Sequence, residues 1–330
     1  MAMIPSVKAK SFYSSFLLVV FACFISLFLS SCTHENGTPT LKVGVIQWLG
    51  YEPFFLARTL DKYNPDMIKL VELQSSTDTL RLLREGVLDA GALTLDEVLG
   101  EMALGTELEV VLVVDISNGA DVLLGLPHLK ELADLKGKRV GVENNAVGAV
   151  LLNGALINAG MSAADITIVP LTADKHFSSY QSGSVDALVT FNPTSNKLME
   201  MGAVKLFDSS KIPDQIIDVI AVRKDALIES KDNIKMLIEG YFSALSHLKE
   251  SPKKATALMA PRLGISGEEM LSSYEGVILA DREKNRYLFS GMPPRLSIIV
   301  ESLKETLLDA KLLERKVDSG GLINSQFILD

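Results

Sequence analysis

Cysteine is nearly absent. The 330-residue chain has two, Cys23 and Cys32, both ahead of its long globular stretch. Everything after residue 32 therefore lacks a disulfide, a thiolate metal site and a cysteine nucleophile. Histidine is almost as sparse. His34, His128, His176 and His247 share no ligand-like spacing, so they read as surface residues and no metal site is assigned. No Ser/His or Cys/His grouping stands out, so no catalytic residue and no cofactor is expected. Positive charge is in deficit: 32 Lys and Arg against 41 Asp and Glu give a formal net charge of -9. No basic cluster interleaves with aromatics, which argues against nucleic acid as a partner.

What is present is an apolar, foldable chain. It is 48% hydrophobic and 22% charged, with length enough for two domains. Its first 31 residues hold no acidic residue, two lysines (Lys8 and Lys10) and an apolar stretch over 16–29. That stretch is shorter than the ~20 residues a spanning helix needs, and the layout is that of a secretory leader. Because both lysines leave with it, removing the leader shifts the charge from -9 to -11. The leader ends Leu29-Ser30-Ser31-Cys32, which resembles the bacterial lipoprotein signal. The resemblance implies that Cys32 is lipidated and becomes the mature N-terminus, holding the protein at a membrane without a spanning helix. Residues 1–31 are thus expected to be the signal peptide, and 32–40, polar with Asn36-Gly37 and Pro39, a tether.

From residue 41 onward, apolar β-branched runs alternate with amphipathic segments, the pattern of an α/β protein with parallel sheets. Strands are expected over 41–47, 68–73, 88–94, 109–115, 138–143, 166–171, 185–191 and 216–222. Helices are expected to begin near Pro53 and near Thr77, with Gly86 as a left-handed cap, and to span 147–159 before Gly160. Val43-Gly44-Val45 recurs as Val140-Gly141-Val142, and Gly86-x-x-Asp89-Ala90 as Gly183-x-x-Asp186-Ala187. Both recurrences are offset by 97 residues, as two similarly wound lobes require. After Arg223 the chain reads as helix, including 230–249, 252–262, a Ser266-x-x-Glu269 capping box and 294–313. The expected organisation is lobe one over 41–124 plus 218–330 and lobe two over 125–217.

In open α/β sheets ligands bind beyond the carboxyl ends of the strands. The residues there make Gln47, Trp48, Tyr51, Thr94, Asp96, Asn118, Asn144, Ala146, Asn192 and Asp218 the ligand-binding candidates. Trp48, the one tryptophan, forms an apolar wall with Tyr51 in this reading. Gln47 and Asn144 either bond a ligand or cap the next helix. Asp96, Asp115, Asp121, Glu143 and Asp218 all fall at strand ends, where each alone suits a cap or turn. Together they point to an acidic cleft suited to an amine, a cation or a hydroxyl-rich solute.

The run Gly44-Val45-Ile46-Gln47-Trp48-Leu49-Gly50-Tyr51-Glu52-Pro53, followed by Leu83-x-x-Gly86-x-x-Asp89-Ala90-Gly91, resembles the nitrate, sulfonate, taurine and bicarbonate binding proteins of bacterial ABC importers. Leu132-Ala133-Asp134-Leu135-Lys136-Gly137-Lys138-Arg139-Val140-Gly141-Val142 resembles the start of that family's second lobe, and Asp218-Val219-Ile220-Ala221-Val222-Arg223-Lys224-Asp225 its return strand. The likeness covers about residues 41–225 and reaches to pyrimidine-precursor binding proteins. It implies a type II periplasmic-binding-protein fold with a hinge, a monomer at the periplasmic face, and delivery of a small solute to a permease and ATPase. By position it places Trp48, Asn144 and Asn192 on ligand-contacting loops. Few basic residues stand where a nitrate or sulfonate needs neutralising. The alternatives are a sensor subunit signalling to a membrane kinase or cyclase, and an enzyme on the same fold, which the export leader and the missing catalytic groupings disfavour.

Overall fold

The computed structural model describes residues 39–143 and 147–329 together with Met1. The expected leader, Cys32 with nearly all of the tether, and the candidates Asn144 and Ala146 lie outside the described residues. The apolar runs form β1 (Leu41–Val45), β2 (Ile68–Glu72), β3 (Ala90–Thr94), β4 (Leu108–Ser117), β5 (Val122–Gly125), β6 (Arg139–Val142), β7 (Thr167–Pro170), β8 (Ala187–Thr190), β9 (Val204–Asp208), β10 (Ile217–Arg223) and β11 (Val277–Leu279).

These strands make two sheets with one winding. The first has the order β11-β4-β10-β3-β1-β2 and the second β7-β6-β8-β5-β9. In each, three strands run parallel in the order second, first, third. Each then accepts one antiparallel strand from elsewhere in the chain: β10 joins the first sheet beside β3 and β4, and β5 joins the second beside β8 and β9.

The 97-residue echo has a structural cause. Val43 is the register partner of Ala90 in the first sheet, and Val140 of Ala187 in the second. Asp89 accepts the Lys42 backbone N–H at 2.8 Å, and Asp186 accepts that of Arg139 at 2.8 Å. In both lobes this carboxylate ties the start of the third strand to the first. Gly86 and Gly183 take φ of +72° and +69° at the preceding turn, a conformation that disfavours side chains.

Chain crossings differ from expectation by a few residues. β5 pairs inside the second sheet, so the first crossing falls at 118–121, ahead of the expected boundary at 124. The return is complete by Ile217. β5, β9 and β11 were not anticipated. The two crossings are bonded to each other. Ser117 Oγ lies 2.7 Å from Ser209 Oγ, which also accepts the Gly119 N–H at 2.7 Å, and Ser209 N donates to Asp121 O at 3.0 Å.

The C-terminal helices cover the first sheet. Lys231–Glu250 buries Ile234, Leu237, Ile238, Tyr241, Leu245 and Leu248, one face at helical spacing. Tyr241 meets Phe54 of the helix Glu52–Thr59 with ring centroids 4.8 Å apart. Among the described residues no helix is long and apolar enough to cross a membrane.

Candidate functional site

Three neighbouring strands bring polar side chains into one row. Asp218 on β10 is the register partner of Thr94 on β3 and of Asp115 on β4. Asp115 Oδ2 accepts the Trp48 indole N–H at 3.0 Å, and Asp218 accepts the Tyr51 hydroxyl. Trp48 itself has extended backbone after β1 and leads into the short turn Leu49–Tyr51. The row is roofed by the second lobe. Phe191, just past β8, meets Trp48 edge-on with centroids 5.5 Å apart.

Between these groups lies a narrow cavity, partly open to solvent, with about 540 Å³ of atom-free space that includes its mouth. From the first lobe it is lined by Ile46, Trp48, Tyr51, Ser76, Thr94, Glu97 and Asp218. The second lobe supplies Glu143, Val147, Gly148, His176, Val189 and Phe191, and the crossings supply Asp121 and Ile216. The lobes are also bonded directly to each other: Thr77 Oγ1 and N donate to Glu143 Oε1 at 2.6 and 3.2 Å, and Asn196 Nδ2 donates to Ser273 Oγ at 3.1 Å. This is a closed arrangement.

The site is acidic without a counter-charge. Among the described lining residues, four are carboxylates and none is Lys or Arg. Burial raises Glu97 and Asp218 above the ordinary carboxylate range, with neighbouring carboxylates adding to it. Burial likewise raises Asp115, against the pull of the Trp48 N–H, and pushes Asp121 up to about 6. Glu143 is also raised by burial, although the Thr77 hydroxyl and amide partly oppose this. His176 is 3% exposed, not a surface residue as expected, and burial holds it down at about 4. Its Nδ1 lies 3.2 Å from Thr190 Oγ1, while Nε2 has no partner. Glu97 Oε1 and Thr94 Oγ1 are also buried without one. Among the described residues no group of His, Cys, Asp and Glu has the geometry of a metal site.

A pH dependence follows. His176 is neutral in the folded chain and sheds the rest of its unfolded-state proton just above pH 6.5, a small opposing effect, so the raised carboxyls Glu52, Glu97, Asp115 and Asp218 dominate the interval from pH 6.5 to 8. A raised carboxyl pKa means that the folded chain holds protons more tightly, so stability is fullest at low pH and is lost as pH climbs. Melts of the ligand-free protein are expected to fall by about 2 °C or more between pH 6.5 and 8, a loss of order 1 kcal/mol. A midpoint that rises over this interval would contradict the assignment.

Of the residues singled out from sequence, the structure brings Trp48, Tyr51, Thr94 and Asp218 to the cavity. Gln47 is exposed and reaches the Arg262 carbonyl at 3.4 Å, away from it. Asn118 is exposed at the first crossing, where its N–H donates to Gly276 O at 2.7 Å. Asn192 is buried between the lobes, accepting from Ser195 Oγ at 2.7 Å and facing Ser273 O at 3.4 Å. Asp96 is buried beside the cavity and borders a separate hollow with Arg84 and Arg315. Sequence reasoning missed Glu97 and His176. The first had a signal: Thr94-x-x-Glu97 is a capping pattern, and Glu97 Oε2 accepts the Thr94 N–H at 2.9 Å.

With this geometry in hand, the relatives are informative. A family model described as the NMT1-like family matches residues 34–263. The chain belongs to the NMT1-like family. A protein provisionally named an aliphatic sulfonates-binding protein, from Escherichia coli, is 24% identical over 215 residues, covering 64% of this chain and 67% of its own. One from Brucella abortus, provisionally named a binding protein, is 26% identical over 150 residues, 44% of this chain. The chain spans about half the length of that curated relative (47%). Among solved structures, the alkanesulfonate-binding protein SsuA of Xanthomonas axonopodis, bound to MOPS, superposes with a TM-score of 0.73 at 19% identity, covering 87% of this chain and 98% of its own. The fold is therefore that of the periplasmic binding proteins, as expected. The desulfurization enzyme DszB shares it too, with a TM-score of 0.60 at 16% identity over 88% of this chain and 97% of its own.

Proposed function

We propose that this protein is the solute-binding subunit of an ABC importer, exported, anchored through lipidated Cys32 at the periplasmic face, and without catalytic activity of its own. The observation that carries the reading is the cavity between two lobes joined by two bonded crossings. Such an architecture opens and closes about its crossings, and a solute shifts the balance by touching both lobes at once. Trp48 and Phe191 are walls from opposite lobes, so they meet a shared ligand only when the lobes are together. The named functions of the relatives agree with capture rather than chemistry.

A thermal-shift screen of the protein purified in detergent against amines, pyrimidines, sulfonates, nitrate, bicarbonate and amino acids tests the reading. A ligand at 100 times its dissociation constant adds about 2.7 kcal/mol of stability. A screen in which no class moves the midpoint would count against solute capture. The anchor has a separate test: Cys32→Ser is expected to abolish lipid labelling and signal-peptidase processing at that position. A variant that is processed normally and stays membrane-bound would refute the assignment of Cys32.

A further inference from the structure

The cavity stands where helices begin, and helix N-termini ordinarily favour anions. Here the chain has already spent those positions on its own carboxylates. Glu143 Oε1 takes both the amide and the hydroxyl of Thr77 at the start of the helix Ser76–Arg84. Glu97 Oε2 takes the Thr94 amide at the start of Leu95–Ala103. An anionic ligand would meet these two carboxylates, and Asp121 and Asp218 as well, with no Lys or Arg among the described lining residues to offset them.

A second, independent observation concerns unused bonding capacity. Glu97 Oε1 is buried without a hydrogen-bond partner, and Glu97 is one of the residues lining the cavity. Burial favours the protonated form of Glu97, and a cationic ligand in the cavity would favour the ionised form, whose oxygens accept only and are best completed by a charged donor. Trp48 and Phe191 also line the cavity, and an aromatic face attracts cations and repels anions.

We infer that the cavity takes a small organic cation, a protonated amine or amidine on a flat apolar body, with its N–H groups on Glu97 and Asp218 and its body against Trp48 and Phe191. This rests on the solute-binding reading and gives that reading its substrate class. The same arrangement disfavours sulfonates, although relatives are named for binding them.

The test uses matched sets of probes on the protein purified in detergent: benzamidine, benzamide and benzenesulfonate, then phenethylamine, phenylethanol and phenylethanesulfonate, each in thermal shift and calorimetry. The cations are expected to bind at least tenfold more tightly than their neutral and sulfonate counterparts. Glu97→Gln is expected to erase that preference, and Asp121→Asn to reduce it severalfold if Glu97→Gln fails to fold. Tighter binding of the sulfonates, or equal binding of all three, overturns the cation assignment and leaves solute capture standing. Melts unmoved by every probe overturn the cation assignment. If the broader screen of solutes is silent too, solute capture falls with it.

Discussion

Gly50→Ala is expected to disable the site while leaving every polar group of the cavity in the sequence. A Cβ on Gly50 would lie 1.7 Å from Asp115 Oδ2 and 2.6 Å from Trp48 Nε1, so it displaces both ends of the bond that holds the indole. Asp115 is fully buried on β4 and has little room to withdraw. Overpacking of this kind costs about 1–3 kcal/mol, and the displaced Trp48 should weaken solute binding about tenfold or more. The control is Gly100→Ala, where nothing lies within 4 Å of the added atom. That change is expected to be neutral or to add up to about 1 kcal/mol through helix propensity. Calorimetry and thermal melts of the pair check both statements, and equal effects at the two positions would contradict the first.

The second large effect lies behind the Trp48 loop. Glu52 is fully buried at the start of Glu52–Thr59, with Arg262 Nε 3.1 Å from its Oε2. Arg262 also reaches Glu72 at 2.5 Å and lies 3.4 Å from the centre of the Phe55 ring. Burial pushes Glu52 up to about 7 even with this partner. Arg262→Met should therefore cost about 3 kcal/mol at pH 8, where Glu52 must either hold a proton or be buried as a charge without its cation. Its sign with pH is fixed: removing Arg262 raises the Glu52 pKa further, so the penalty is present when the carboxyl must ionise and fades as pH falls to 5. Melts of Arg262→Met at the two pH values, with Glu52→Gln added as a second change, measure it. A penalty that is the same at pH 5 and pH 8 would contradict the account.

Both lobes were legible in the sequence because their repeated motifs serve backbone needs. Asp89 and Asp186 each bind a strand amide, and Gly86 and Gly183 each turn with positive φ, so those residue types had to recur at the same offset. The short inserted strands β5 and β9 carry no such requirement and left no pattern. Within the site, strand ends pointed to Trp48, Thr94 and Asp218, but not to which neighbour faces inward. Gln47 and Trp48 are adjacent in extended chain, which sends successive side chains to opposite sides, and the cavity received the tryptophan. Asn192 is bonded across the lobe contact outside the cavity, a distinction that depends on how the lobes meet. His176 was missed because a lone histidine on a short helix gives no periodic signal; its burial comes from packing under β8.

Acrylamide quenching of the intrinsic fluorescence tests the central claim most directly, since Trp48 is the only tryptophan and is 4% exposed in the closed arrangement. A solute that raises the melting temperature is predicted to lower the quenching constant of Trp48 several-fold, because it closes the lobes over the indole. A stabilising solute that leaves the quenching unchanged would mean that binding occurs elsewhere or without closure, and would contradict capture in this cavity.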